Sequence, residues 1–79
     1  MKTLIDNVAR FPAQTINSFI AAPVLLRDES MDTLTKVAKI WAREGLRSRV
    51  IDLANKDGVS TSTKALLMRA CSQSDRSVH

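Results

Sequence analysis

Ser30-Met31-Asp32-Thr33-Leu34-Thr35-Lys36-Val37-Ala38-Lys39-Ile40-Trp41-Ala42-Arg43-Glu44-Gly45 is the stretch that decides the fold. Leu34, Val37, Ala38 and Trp41 recur at i, i+3, i+4 and i+7, the spacing of one face of an α-helix. Ser30 offers a side-chain oxygen to cap the first turn. Asp28, Glu29 and Asp32 put negative charge at the helix N-terminus, where the macrodipole favours it, so they need no metal or acid/base role. Gly45 is the expected stop. Trp41, on the apolar stripe, belongs to the core rather than to a base-stacking platform.

Outward from this helix, Pro12, Pro23, Gly45 and Gly58 divide the chain into segments of helical length. Toward the C-terminus a fourth helix is expected over about Leu46 to Lys56, with Leu46, Val50, Leu53 and Ala54 inward. Asp57-Gly58 is a turn. Ser60 or Thr61 caps a fifth helix with Leu66, Leu67, Ala70 and Cys71 on one face. Toward the N-terminus, Thr3 caps a short helix with Leu4, Ile5, Val8 and Phe11 on one side. Pro12 fits the first turn of a second helix carrying Ile16, Phe19 and Ile20, and Pro23 ends it. Val24-Leu25-Leu26 is an apolar connector that packs on the core. The expected fold is all-α, four to five short helices with a helix-turn-helix-like C-terminal hairpin. Residues 1–71 make one domain, and 72–79 form a polar tail that frays.

Composition narrows the function. The chain has 79 residues, 44 % of them hydrophobic, and only three aromatics, Phe11, Phe19 and Trp41. A single cysteine, Cys71, excludes a disulfide framework and a multi-cysteine zinc site. The one histidine, His79, leaves no basis for a histidine triad or His-rich metal site. Two glycines cannot build a phosphate-cradling loop. These absences point to a non-enzymatic protein without cofactor or metal. No run approaches the ~20 apolar residues of a membrane span. Asp6 and Asn7 interrupt any signal-peptide core, and a lone thiol suits the cytoplasm. Net charge is +4; residues 1–40 carry five Lys/Arg against four Asp/Glu, and residues 41–79 seven against four. A basic excess in one half suggests an acidic partner, nucleic acid first, although ordinary solvated surface would read the same.

The most informative motif is Leu53-Ala54-Asn55-Lys56-Asp57-Gly58-Val59-Ser60-Thr61-Ser62-Thr63. A close crossing of two helices needs a small side chain, here Ala54, and a turn residue tolerant of positive φ, here Gly58. Val59 plugs the angle and Ser60 caps the next helix. Over residues 50–70 this resembles the helix-turn-helix of bacterial DNA-binding proteins, lac-repressor-like regulators in particular. It departs at Lys64, where that family carries an aliphatic residue. The same residues would also make a plain helical hairpin. A ribbon-helix-helix repressor shares the Gly-x-Ser turn, but its strand would fall on Lys39-Ile40-Trp41-Ala42, inside the strongest helical period.

The resemblance implies that Thr61, Ser62 and Lys64 reach base edges or phosphates, that the Ser60 region presents backbone N–H groups to a phosphate, and that Arg69 touches the backbone. Independently, Lys36, Lys39, Arg43 and Arg47 fall at i, i+3, i+7 and i+11. Taken as one helix they lie within about 80° of one another, a phosphate-tracking stripe or a solvated face. Ile40 falls on the same polar side and is a candidate partner contact. Cys71 reads as a core residue. The expected function is a small DNA-binding regulator from a bacterium or phage, acting on double-stranded DNA as a homodimer. Phe11, Ile16, Phe19, Ile20 and Val24-Leu25-Leu26 are its surplus apolar surface. The alternative is a small basic adaptor or inhibitor of a protein partner, a phage- or plasmid-encoded antagonist of host machinery.

Overall fold

The computed structural model describes the backbone from Thr3 to Arg76 and the side chains from Thr3 to Ser72. Its helices are α1 (Leu4–Arg10), α2 (Pro12–Ala21), α3 (Met31–Arg43), α4 (Arg47–Ala54) and α5 (Thr61–Arg76), with a 3₁₀ helix at Pro23–Asp28 between α2 and α3. The described residues contain no strand, and the fold is all-α.

Local chemistry explains the boundaries. The Asp6 N–H donates to Thr3 Oγ1 at 3.2 Å, and the Thr33 N–H donates to Ser30 Oγ at 3.1 Å, so both expected caps form. Pro12 opens α2 at a position where its missing N–H costs nothing. Gly45 takes φ +80°, a left-handed conformation that stops α3 and turns the chain into α4.

α3 is the spine, packed against α1, α2, α4 and α5. Its stripe Leu34, Val37, Ala38 and Trp41 is wholly buried. Phe19 meets Trp41 edge-to-face, with ring centroids 5.7 Å apart. The indole N–H donates to Thr15 Oγ1 at 3.2 Å, and that hydroxyl donates to the Phe11 carbonyl at 2.8 Å. The polar end of the largest core side chain is thus satisfied inside the protein, as burial requires. No described helix is long and apolar enough to cross a membrane.

Several boundaries and faces differ from the sequence expectation. Phe11 is not on the core side of α1; it joins α1 to α2 and is 49 % exposed. Pro12 bars the preceding residue from helical angles, and Phe11 at φ −133°, ψ 64° swings outward. Of the apolar connector only Leu26 is buried, while Val24 and Leu25 are exposed, because three residues per 3₁₀ turn leave one in three facing the core. Ile16, Phe19 and Leu26 belong to the core and Ile20 packs against it, so the apolar surface available for self-association reduces to Phe11, Val24 and Leu25. Ile40 is half-buried against the core rather than on a polar face. α4 is shorter than Leu46–Lys56, and α5 continues past Cys71 to Arg76. Residues 77–79 of the expected frayed tail lie outside the described residues.

Candidate functional site

α4 and α5 pack against each other and against α3. Leu53 and Ala54 are buried at the end of α4. Gly58 sits in the connection at φ +91°, and a Cβ there would meet no atom within 4 Å, so the demand for glycine is conformational rather than steric. The Arg27 guanidinium donates to the Gly58 carbonyl at 3.4 Å, tying the 3₁₀ helix to this turn.

Two contacts set the direction of the helices. The Arg27–Gly58 bond brings the approach to α3 beside the approach to α5. The Cys71 thiol donates to the Arg47 carbonyl at 3.8 Å, bringing the far part of α5 beside the start of α4, just after the end of α3. α3 and α5 therefore run in the same direction, with α4 returning between them.

The N-terminus of α5 is built by Ser60. Its Oγ accepts from the Thr63 N–H at 3.2 Å and donates to Thr63 Oγ1 at 2.9 Å. Ser60 and Thr63 thus use their hydroxyls on each other, and Thr63 is buried. Ser60 acts as a cap. Thr61, Ser62, Lys64, Ala65, Met68 and Arg69 are exposed. At ~100° per residue, Thr61, Ala65 and Met68 lie opposite the buried Thr63, Leu67 and Ala70. Lys64 flanks them on the side of Cys71 and α4, and Arg69 with Ser62 on the side of α3.

The basic stripe divides. Lys36, Lys39 and Arg43 are exposed on α3, but the helix ends at Arg43 and Arg47 opens α4. The left-handed Gly45 breaks the register that one helix would have kept, so the four residues are not one stripe. Lys36 Nζ lies 3.3 Å from Asp32 Oδ2, an exposed pair one turn apart. Arg47 faces Cys71: burial pushes that thiol's pKa up, and the Arg47 charge partly opposes the rise. Cys71 is a core residue.

Lys39 converges with α5. A cleft of about 570 Å³ opens between α3 and α5. Met31, Thr35 and Lys39 line it from α3, and Ser62, Leu66 and Arg69 from α5, with Ala65 and Ala70 between. Because the two helices run together, Met31 and Ser62 stand at one end and Lys39 and Arg69 at the other. Neither cation is paired with a described carboxylate. Of the nine residues singled out from sequence, Lys39, Ser62 and Arg69 share this cleft. Thr61 and Lys64 lie on the adjoining outer face of α5, Lys36 and Arg43 elsewhere on α3, Ser60 in the cap and Arg47 on α4. Met31 and Thr35 escaped the sequence reading, and Leu66, expected on the core face of the last helix, is half-buried in the cleft wall. Their signal was the i, i+4, i+8 spacing of Met31, Thr35 and Lys39 beside the i, i+4, i+7 spacing of Ser62, Leu66 and Arg69. Compared with protein-family profiles, curated proteins and solved structures, the chain matches none of them.

Proposed function

We propose that this protein is a small regulator that binds double-stranded DNA through α5 and acts by binding, not catalysis. The observation that carries the proposal is the outer face of α5. In its first turns the short side chains of Thr61 and Ala65, followed by Met68, stand between Lys64 on one flank and Ser62 and Arg69, with Lys39 across the cleft, on the other. A helix entering a major groove ~12 Å wide needs a slim centre and cations directed at both phosphate walls. The first turn of α5 adds backbone N–H groups with no intrahelical acceptor, which suit a phosphate. Thr61 and Ser62 supply short hydroxyls and no bidentate reader of guanine or adenine, so one copy selects sequence only modestly. Two copies, joined through Phe11, Val24 and Leu25, would read half-sites about one DNA turn apart. The setting is the cytoplasm, where Cys71 stays reduced.

A mobility shift with random-sequence duplex at two salt concentrations tests the proposal. The expected result is a shift at micromolar protein in low salt that weakens steeply as salt rises. No shift in low salt would reject it.

A further inference from the structure

The α3–α5 cleft carries more apolar surface than a phosphate contact uses. Met31 is 44 % exposed at one end of it, and Leu66 is half-buried in its wall. Ala70 on the core side and Ala65 on the outer rim project little, so another backbone can approach closely. Lys39 and Arg69 close the opposite end, and no Asp or Glu is among the lining residues. The cleft is thus apolar at one end and cationic at the other.

Its shape favours a helix over a small molecule. Small ligands are held where most of their surface is buried, and this cleft is open along one side. Met31, Thr35 and Lys39 form one i, i+4 ridge, and the α5 residues form a second alongside it. The trough between two helices running together accepts the ridge of a third. From Met31 to Lys39 it spans ~12 Å, about two helical turns. Methionine at the rim suits such a contact, since its unbranched chain adapts to the partner.

We infer that the α3–α5 cleft is a docking groove for an amphipathic helix of a partner protein, with its apolar stripe on Met31 and Leu66 and its acidic residues against Lys39 and Arg69. Charge complementarity selects an acidic helix, because two cations without a described partner would repel a basic one. The docked helix would cover Lys39 and Arg69 and so compete with DNA, but docking itself does not depend on DNA binding.

The probe is a synthetic helix about four turns long, with leucines at i, i+3, i+4 and i+7 and glutamates beside them, and its counterpart with every glutamate replaced by lysine. Both are titrated into the full-length, isotope-labelled protein and followed by NMR. The glutamate peptide is expected to shift Met31, Thr35, Lys39, Leu66 and Arg69 in a saturable way, with the lysine peptide at least about tenfold weaker. Lys39→Glu with Arg69→Glu should invert that preference. Met31→Asp should weaken the glutamate peptide about tenfold with an unchanged circular dichroism spectrum, since Met31 is exposed. Equal binding of the two peptides, shifts mapped away from the cleft, or no shift at millimolar peptide would overturn the inference. A protein that binds duplex DNA but neither peptide loses the docking groove and keeps the DNA proposal. The reverse result keeps the groove alone.

Discussion

The half of the molecule built from α1 to α3 and the pair α4–α5 spend their residues differently. The first half holds all three aromatics and closes its polar core through Thr15 and Trp41. The second half bends at a left-handed glycine and turns Thr61, Ser62, Lys64, Ala65 and Arg69 outward on α5. Stability is concentrated where side chains are large and satisfied. The binding chemistry we propose lies where cations stand exposed beside small residues. Substitutions on the two sides should therefore separate folding from binding.

The largest effect is expected at Trp41. Trp41→Ala removes a fully buried side chain, its edge contact with Phe19 and its bond to Thr15, and should cost about 3–5 kcal/mol in urea unfolding. For a domain this small that cost takes most of the total stability. A loss below 1 kcal/mol would mean the first half is not the stabilising one.

Ala54→Leu should follow, at about 1–3 kcal/mol, because Ala54 is buried where α4 ends against its neighbours. Gly58→Val should cost more than about 1 kcal/mol through backbone strain alone, since its Cβ meets nothing. Gly58→Asn should recover much of that, because asparagine tolerates positive φ. If valine and asparagine are equally harmful, the strain explanation fails.

A smaller, pH-dependent effect belongs to Cys71. Burial raises its folded pKa above the ordinary value of 9.0, so the folded state keeps its proton at a pH where the unfolded chain loses it. The contribution is fully present below pH 9.0 and is lost as pH rises from there through the raised folded value. Stability should fall more steeply above pH 9 in the native protein than in Cys71→Ala, as read by thermal melts. Parallel curves for the two proteins would contradict this.

The core face of α3 is legible from sequence, because Ser30 starts the helix, Gly45 stops it and Leu34, Val37, Ala38 and Trp41 are spaced for one face; Ile40, off that stripe, is the residue whose burial the spacing misses. The turn at Gly58 and the cap at Ser60 are legible for the same reason: short-range chemistry leaves few alternatives. Phe11 misleads because its apolar character fits the face of α1, while the steric rule set by Pro12 turns it outward. The basic stripe misleads at Arg47, since a period counted through Gly45 assumes a helix that the left-handed glycine ends. The cleft is invisible to any local rule. Its walls come from segments about thirty positions apart, and only the shared direction of α3 and α5 brings Lys39 to Arg69.

The smallest effects on stability, and the most telling on binding, lie on α5. Lys64→Ala and Arg69→Ala remove exposed cations and should change stability by no more than about 0.5 kcal/mol. The most direct measurement is the salt dependence of duplex affinity, by fluorescence anisotropy, for the native protein, each variant and the pair. Each lost phosphate contact should flatten the slope of log K against log salt by about 0.9, so the double variant should lose about 1.8. An unchanged slope in both variants, with native folding retained, would remove α5 from the DNA interface and contradict the account.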